Sequence, residues 1–415
     1  MTSEEATRNT MTGAEAMVAL LARHGVETIF GLCGDTSLPF YDALHKNARG
    51  MTHILTRDER HAAYMADGYA RVTGKPGVCE GPSGGGATYI LPGVVEANES
   101  SIPILAITTD VAVTSQGKFP LTELDQAGLF RPLTKYNGLI DTAGRLPTMV
   151  RQAFRAMTTG TPGAAQLGFP FDVQKQEVDA GQVWAQSDFE HFPAWRQAPQ
   201  SAAIEAAAKA IVTAQNPVVI CGGGPVIAGA EGELQRLAER LDLIVATTVS
   251  GQGSLGENHP NCLGVVGSNG GVMATRKVVE EADLVVFIGC RAGSVTTERW
   301  RFPAPGTPIV HIDSNPMAIS ASYETAHPVL GDAKLALAAL NEALDEEAKL
   351  PNFGGAERVA RARAEKFEIF DRLAVSNDTP IKPDRVVADL NAVLPEDAVV
   401  VCDPGTPCPY FSAYY

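Results

Sequence analysis

The chain has 415 residues, 45% of them hydrophobic, and a formal charge of −15. That length suggests two or three domains with sizeable cores and speaks against global disorder. The acidic balance argues for a soluble protein and against a general phosphate-backbone binder, so no nucleic-acid partner is expected, and small ligands stay open. Seven cysteines (33, 79, 221, 262, 290, 402 and 408) form no CxxC, and the eight histidines form no HExxH. A disulfide framework or structural zinc site is therefore not expected, and a reducing cytoplasm is. The start, MTSEEATRNTM, lacks the apolar core of a signal peptide, and no apolar run approaches the about 18 residues that would span a membrane.

In chain order, GAEAMVALLARHGV has helical spacing and ends at Gly25, and ETIFGLCG reads as a strand and a glycine turn. THILT is a short strand, and DERHAAYMADGYARVTG is a helix closed by Gly74. PGVCEGPSGGGATYILPGVVEANESS reads strand, glycine loop, helix, and IPILAITT is a buried strand. Apolar runs separated by helices indicate a parallel sheet covered on both faces. Gln174 to Pro199 is polar, with scattered aromatics and prolines, and reads as a linker. A second alternation follows through NPVVICGGGP, GELQRLAERLD, LIVATTV, ADLVVFIGCRAG and TPIVHIDSNP, ending near DAKLALAALNEAL. The charged helix GGAERVARARAEKFEIFDRL then bridges to DRVVADLNAVL, a helix, and AVVVCDPG, a strand and loop. A unit that stops after one strand cannot bury a core, so the chain reads as a fragment, a processed piece or one subunit of a split protein.

Glu59 sits where a strand passes into a helix. An acid in a first turn faces the positive helix end, which is reason enough for its presence. Yet alanines at 62, 63, 66 and 70 and Gly68 let this helix approach another surface closely, and a carboxylate desolvated there is suited to proton transfer. GPSGGGAT at 81–88 satisfies GxSxG, but Pro82 fits a strained elbow poorly and His259, His311 and His327 lie in no comparable context. A serine hydrolase on Ser83 is the lesser reading; glycines that let backbone amides approach a ligand are the milder one. CGGGP at 221–225 is either such a turn or a tight bend without a ligand. Asp313, ending the strand of HIDSNP, is placed to accept ribose hydroxyls or to form the turn before Pro316.

These pieces in this order resemble the thiamin-diphosphate enzyme superfamily, in its acetolactate synthase, benzoylformate decarboxylase and pyruvate decarboxylase group. The resemblance runs through GVETIFGLCGDTSLPFYDAL, RDERHAAYMADGYARVTGKPGVCEGPSGGGAT, SIPILAITTD, LFRPLTKYN and GTPGAAQLGFPFDV. It continues through RLAERLDLIVATTVSGQGSLGENHP, ADLVVFIGCRAGSVTT and IVHIDSNP. It implies an α/β fold of doubly wound parallel sheets in successive Rossmann-like domains. A pyrimidine-binding domain would span 1–180, a central domain 195–345, and the start of a diphosphate-binding domain 380–415. By the same resemblance Glu59 bonds the aminopyrimidine nitrogen and activates the cofactor to its ylid, which attacks a 2-oxo acid or related acyl donor. Cofactor contacts would come from Glu59, Gly34, Ser83 and Gly84, and Asp35, Ser83, Leu121 and Thr122 would line the reaction site.

The departures define what stays open. The GDG…N stretch that anchors Mg²⁺ and the diphosphate is missing, so the metal site is expected beyond Tyr415 or in a partner. Asp35 occupies the place of an acid in pyruvate decarboxylases and of a serine in benzoylformate decarboxylases; it is a proton relay or a loop-capping aspartate. No paired histidines stand between Val111 and Phe130, and Leu121 and Thr122 replace the phenylalanine and glutamine of acetolactate synthases. The resemblance implies a central domain that binds FAD or ADP in some relatives and nothing in others, with Gly222, Gly223, Gly224, Arg291 and Asp313 as contacts. It implies a homo-oligomer, dimer or tetramer. The alternative is a large nucleotide-binding subunit, inactive without a separate diphosphate-binding partner chain.

Overall fold

The computed structural model describes residues 9–345 and 349–415. The chain divides into two compact units, Met1–Trp195 and Arg196–Tyr415. In the first, Thr12 caps its helix through a reciprocal pair with Glu15. Elements then alternate: β1 (Thr10–Thr12), α1 (Gly13–Arg23), β2 (Thr28–Gly31), α2 (Leu38–Lys46), β3 (Thr52–Leu55), α3 (Glu59–Thr73) and β4 (Gly77–Gly81). They continue through α4 (Gly85–Tyr89), α5 (Leu91–Glu99), β5 (Ile104–Asp110), α6 (Gln126–Phe130), β6 (Tyr136–Leu139), α7 (Leu146–Thr158), β7 (Ala165–Pro170) and β8 (Glu177–Asp179).

Six of these strands form one parallel sheet in the order β3-β2-β4-β5-β7-β6. The chain leaves β2 toward β3 and returns to β4, so the order reverses between β2 and β4. Ligands of open α/β sheets bind outside such a reversal, at the carboxyl ends of the strands. Met17, Leu20 and Leu21 of α1, Phe40 of α2 and Phe154 of α7 fill one face against Val78, Leu105 and Ile107. The other face takes α3 and α5. There the alanine stripe Ala62, Ala63, Ala66 and Ala70 is fully buried, and a Cβ on Gly93 of α5 would lie 2.5 Å from that of Ala63.

The second unit repeats the plan. It contains α8 (Ser201–Thr213), β9 (Pro217–Cys221), α9 (Gly224–Ala228), α10 (Glu231–Leu241), β10 (Ile244–Thr247), β11 (Cys262–Val265) and α11 (Met273–Glu280). After β12 (Leu284–Ile288), β13 (Ile309–Asp313) and β14 (His327–Leu330) come α12 (Ala333–Asp345), α13 (Gly355–Ala374), α14 (Pro383–Val393) and α15 (Pro407–Tyr414). The parallel order is β11-β10-β9-β12-β13-β14, reversing between β9 and β12. Helices α8, α10 and α12 bury one face and α11 with α13 the other. Both units are thus doubly wound α/β sheets, as the alternating pattern implies. No helix among the described residues is long and apolar enough to cross a membrane.

Two local readings of the sequence are corrected. The stretch from Gln174 to Pro199 is no free linker: as far as Trp195 it belongs to the first unit, where β8 pairs with β1 and Val178, Val183, Phe189 and Phe192 are buried. Its scattered apolar residues follow no helix or strand period because they anchor short turns. AVVVCDPG forms no strand. Val399 and Val401 are 89% and 90% exposed, and no described strand lies beside them to complete a ladder. The helices around it pack instead on the end of α13, where Phe370 and Ala374 meet Val387 and Tyr414.

The α3–α5 approach yields a stability prediction. Gly93→Ala should cost about 1–3 kcal/mol, because the added methyl meets both the Ala63 side chain and its backbone. The urea midpoint should fall without a change in m-value.

Candidate functional site

Three loops leave the carboxyl edge of the first sheet at its reversal. Cys33–Ser37 follows β2, Pro82–Gly84 follows β4, and the segment from Val111 to Asp125 follows β5. They touch because glycine removes the side chain at each crossing. A Cβ on Gly34 would lie 2.5 Å from Cβ of Pro82, and one on Gly84 would lie 2.8 Å from Cβ of Thr122. Gly84 also has φ of +66°, a region open to glycine.

A chain of hydroxyls binds the same loops. Thr122 Oγ1 donates to the Leu121 carbonyl at 2.5 Å, so at 2.6 Å it accepts from Ser83 Oγ. Ser83 Oγ accepts from Thr36 Oγ1 at 3.2 Å, and Thr36 accepts from Thr109 Oγ1 at 2.9 Å and from the Ser83 amide at 3.1 Å. The direction therefore runs Thr109, Thr36, Ser83, Thr122. Thr122 itself holds φ of 72°, unusual for a β-branched residue, and the bond from Ser83 helps hold it there. Ser83 has threonines for partners and no histidine among the described residues, so the hydrolase reading lacks its general base.

Glu59 is the first residue of α3, but it does not cap it. Asp58 does, accepting from the Arg60 amide, a role worth about 1 kcal/mol. Glu59 is 9% exposed, and none of the described residues donates a hydrogen bond to its carboxylate. A Cβ on Gly86 would lie 3.2 Å from Glu59 Oε1, so the glycine loop runs directly past the carboxylate. The structure thus brings Glu59, Gly34, Ser83, Gly84 and Thr122 to one edge. Asp35 is exposed at the start of the turn before α2, and Leu121 is 90% exposed on the neighbouring loop.

Sequence reasoning missed several polar residues beneath this edge. Glu80 is completely buried in β4, and its Oε2 accepts from Tyr41 Oη at 2.7 Å. Burial pushes its carboxyl up to about 8. Asp110, ending β5, is raised to about 6, chiefly by burial and further by Glu123. Gln126 Nε2 donates to the Thr109 carbonyl, Thr108 donates to Gln126, and Gln166 donates to Thr108, tying β5, β7 and α6 together. The available signal was a charged residue inside the otherwise apolar strand GVCEG. Among the described residues no group of three or more His, Cys, Asp or Glu side chains is placed to hold a metal ion.

The second unit holds a separate group. The Gly222 amide donates to the Ile288 carbonyl and that of Gly224 to Gly289. A Cβ at Gly222 or Gly224 would collide with the Gly289 backbone, so these two glycines let the β9 and β12 turns meet. Gly223 lies against Ser250. Asp313 is buried at the end of β13, its Oδ1 accepting from the Asn315 amide at 2.7 Å, with the Arg291 charge acting on it.

Comparison with known proteins gives the class first. Residues 11–129 match the family model "Thiamine pyrophosphate enzyme, N-terminal TPP binding domain", and residues 204–340 match "Thiamine pyrophosphate enzyme, central domain". The chain belongs to the thiamine pyrophosphate enzyme family. It is 39% identical over 394 residues to a probable acetolactate synthase large subunit of Methanocaldococcus jannaschii, covering 93% of this chain and 64% of that protein. It is 30% identical over 409 residues to the acetolactate synthase isozyme 3 large subunit of Escherichia coli, covering 98% and 70%. A probable large subunit of Methanococcus aeolicus is 37% identical over 396 residues, and the chain spans 65% of its length.

The buried acids set a pH dependence. A carboxyl whose folded value is raised binds its proton more tightly when folded. Its stabilisation is complete below the ordinary carboxyl range of about 4 and is lost as pH rises through the folded value. The melting temperature should therefore decline from about pH 4, more steeply up to about 6 while Asp110 and Glu80 both contribute, and less steeply up to about 8 from Glu80 alone. Asp110→Asn should remove only the extra slope below about 6, as read by thermal unfolding across pH. Gly84→Ala should separately cost about 1–3 kcal/mol, since its φ and Thr122 both oppose a side chain.

Proposed function

We propose that this chain is the cofactor-activating part of a thiamin-diphosphate-dependent decarboxylase or carboligase, an acyl-releasing or acyl-transferring enzyme acting on a 2-oxo acid or related acyl donor. One observation carries the reading. Glu59 is buried, has no donor among the described residues, and stands beside Gly86 at the sheet reversal of a region matched by the N-terminal TPP binding domain. A carboxylate to which no described residue donates keeps its acceptor sites free of protein partners, and the N–H of a protonated ring nitrogen would fill one of them.

Bound thiamin diphosphate supplies an electron sink for a carbonyl carbon. Glu59 would hold a proton between its carboxylate and the aminopyrimidine nitrogen and so activate the cofactor. The bend at Gly34 and the loop at Ser83 and Gly84 would flank the ring with little side-chain bulk, the hydroxyl chain keeping them in place. Asp35, exposed on the same turn, would exchange protons with the substrate. Leu121, Thr122 and Ser83 would line the donor site. Leu121 and Thr122 differ from the pattern of the acetolactate synthases, so the acceptor need not be a second 2-oxo acid.

Mg²⁺ and the diphosphate would be held by a diphosphate-binding region, on the same polypeptide or in a partner subunit, within a dimer or tetramer. In the second unit Asp313 and Arg291, beside the Gly222–Gly224 turn, would take the ribose and phosphates of FAD or ADP. The setting is cytoplasmic, with no nucleic-acid or membrane partner.

The test is Glu59→Gln in the assembled enzyme with thiamin diphosphate and Mg²⁺. Proton exchange at the thiazolium carbon, followed by NMR, should fall by about 10²–10⁴-fold, while the melting temperature stays near that of the parent. Exchange at the parent rate would remove Glu59 from the mechanism. A parallel screen of 2-oxo acids and acyl-CoA compounds identifies the donor.

A further inference from the structure

The proposed reaction uses Glu59 and leaves a second acid beneath the same edge unexplained. Glu80 precedes the Gly81–Gly86 loop on β4 and is 0% exposed. Tyr41 Oη donates to its Oε2 at 2.7 Å, and Ser37, whose hydroxyl binds both the amide and the carbonyl of Gly34, favours its charged form from the same side. Its Oε1 is buried with no partner among the described residues. Tyr41 and Ser37 belong to the first turn of α2 and the turn leading into it, so Glu80 ties the Cys33–Ser37 turn to the strand that carries Ser83.

The groups facing it give it no positive partner. Glu59 acts on it from α3, and its own charge acts on Cys33 from the β2 turn, on Cys79 beside it in β4 and on Tyr41 from α2. His53 of β3 reaches it only through Tyr41, against which it packs edge-on at 4.9 Å, and burial holds that imidazole toward its neutral form. An ionised carboxylate here would be a buried charge paired only with hydroxyl dipoles, an expensive state. The protonated acid costs far less and has a hydrogen to offer.

We propose that Glu80 is a positioning residue: a carboxylic acid kept neutral in β4 that holds the Cys33–Ser37 turn against the glycine loop, and whose ionisation closes the alkaline side of activity. Once ionised, it adds a negative charge beneath Glu59 and Asp35, the two groups proposed to handle protons, and so opposes their own charged forms. Burial places the change at about pH 8, within a working pH range and far from where an ordinary glutamate titrates.

The activity part of this proposal rests on the proposed function; the protonation part does not, and the two are read separately. Infrared spectra of the full chain, titrated from about pH 6 to about pH 10, should show a carboxylic C=O band that vanishes with a midpoint near 8 and is missing in Glu80→Gln. Tyr41→Phe removes a bond that favours the ionised form, so it should move that midpoint to higher pH. In the assembled enzyme with thiamin diphosphate and Mg²⁺, turnover should fall about tenfold between about pH 7 and pH 9 through loss of this one proton. Glu80→Gln should fall less than about twofold over that range, and Tyr41→Phe should fall later than the parent.

Absence of the band, a midpoint below about 6, or a parent-like alkaline limb in Glu80→Gln overturns the proposal. If Glu80→Gln does not fold, Tyr41→Phe decides: an unmoved midpoint overturns it. A normal infrared titration in an enzyme whose Glu59→Gln variant still exchanges its cofactor proton would sink the function and leave the protonation state of Glu80 standing.

Discussion

Backbone contact at the reversal of the first sheet is the constraint on which the rest depends. Parallel strands deliver their loops to one edge, and two loops can share that edge only where side chains are removed. Gly34 yields to Pro82, Gly84 yields to Thr122, and Gly86 yields to both Pro82 and the Glu59 carboxylate. The alanine face of α3 does the same from behind, letting the helix settle close enough to bring Glu59 to the rim already buried. The burial of that carboxylate is thus a consequence of packing along the whole helix. It does not depend on any single neighbour.

The hydroxyl chain then fixes what the glycines permit. Small residues allow close approach, but they specify little, because a loop without side chains has few ways to prefer one position. Thr109, Thr36, Ser83 and Thr122 supply that preference through directional bonds, each hydroxyl donating onward to the next and Thr122 to the Leu121 carbonyl. Their arrangement also explains why a GxSxG match is misleading here. Ser83 lies at a strand-to-helix loop as an elbow serine would, yet its hydroxyl joins three loops and lacks a base.

Much of this was legible in the sequence. Runs such as PILAITT and DLVVFIG, alternating with helix patterns, require parallel sheets covered on both faces, and that is the fold of both units. Glu59 stood out because a charge beside four alanines has few surface explanations. What escaped the sequence has a common physical character. The threonine chain joins residues dozens of positions apart, and no local period marks a hydroxyl that bonds across loops. Glu80 sat in plain view inside GVCEG, but whether an acid in a strand points to water or to the core depends on register, which one short strand does not define. The apolar residues between Gln174 and Trp195 escaped for a related reason: isolated anchors on turns have no period to detect.

The second unit shows how far a glycine turn can be read. Its CGGGP follows a strand at a sheet reversal, as the first unit's glycine loop does. Gly222 and Gly224 are accounted for by their contact with the Gly289 backbone, whereas Gly86 of the first unit lets the loop pass both Pro82 and a carboxylate to which none of the described residues donates. Position at a reversal is common to both, and what separates them is whether the glycine loop passes a polar group that no protein donor occupies. By that criterion the first unit carries the stronger evidence for a ligand. In the second, a nucleotide would have to rely on Arg291 and Asp313, and Asp313 already commits one oxygen to the Asn315 turn. The glycine pattern therefore marks where loops converge, and the chemistry must be argued from the acids and hydroxyls brought there.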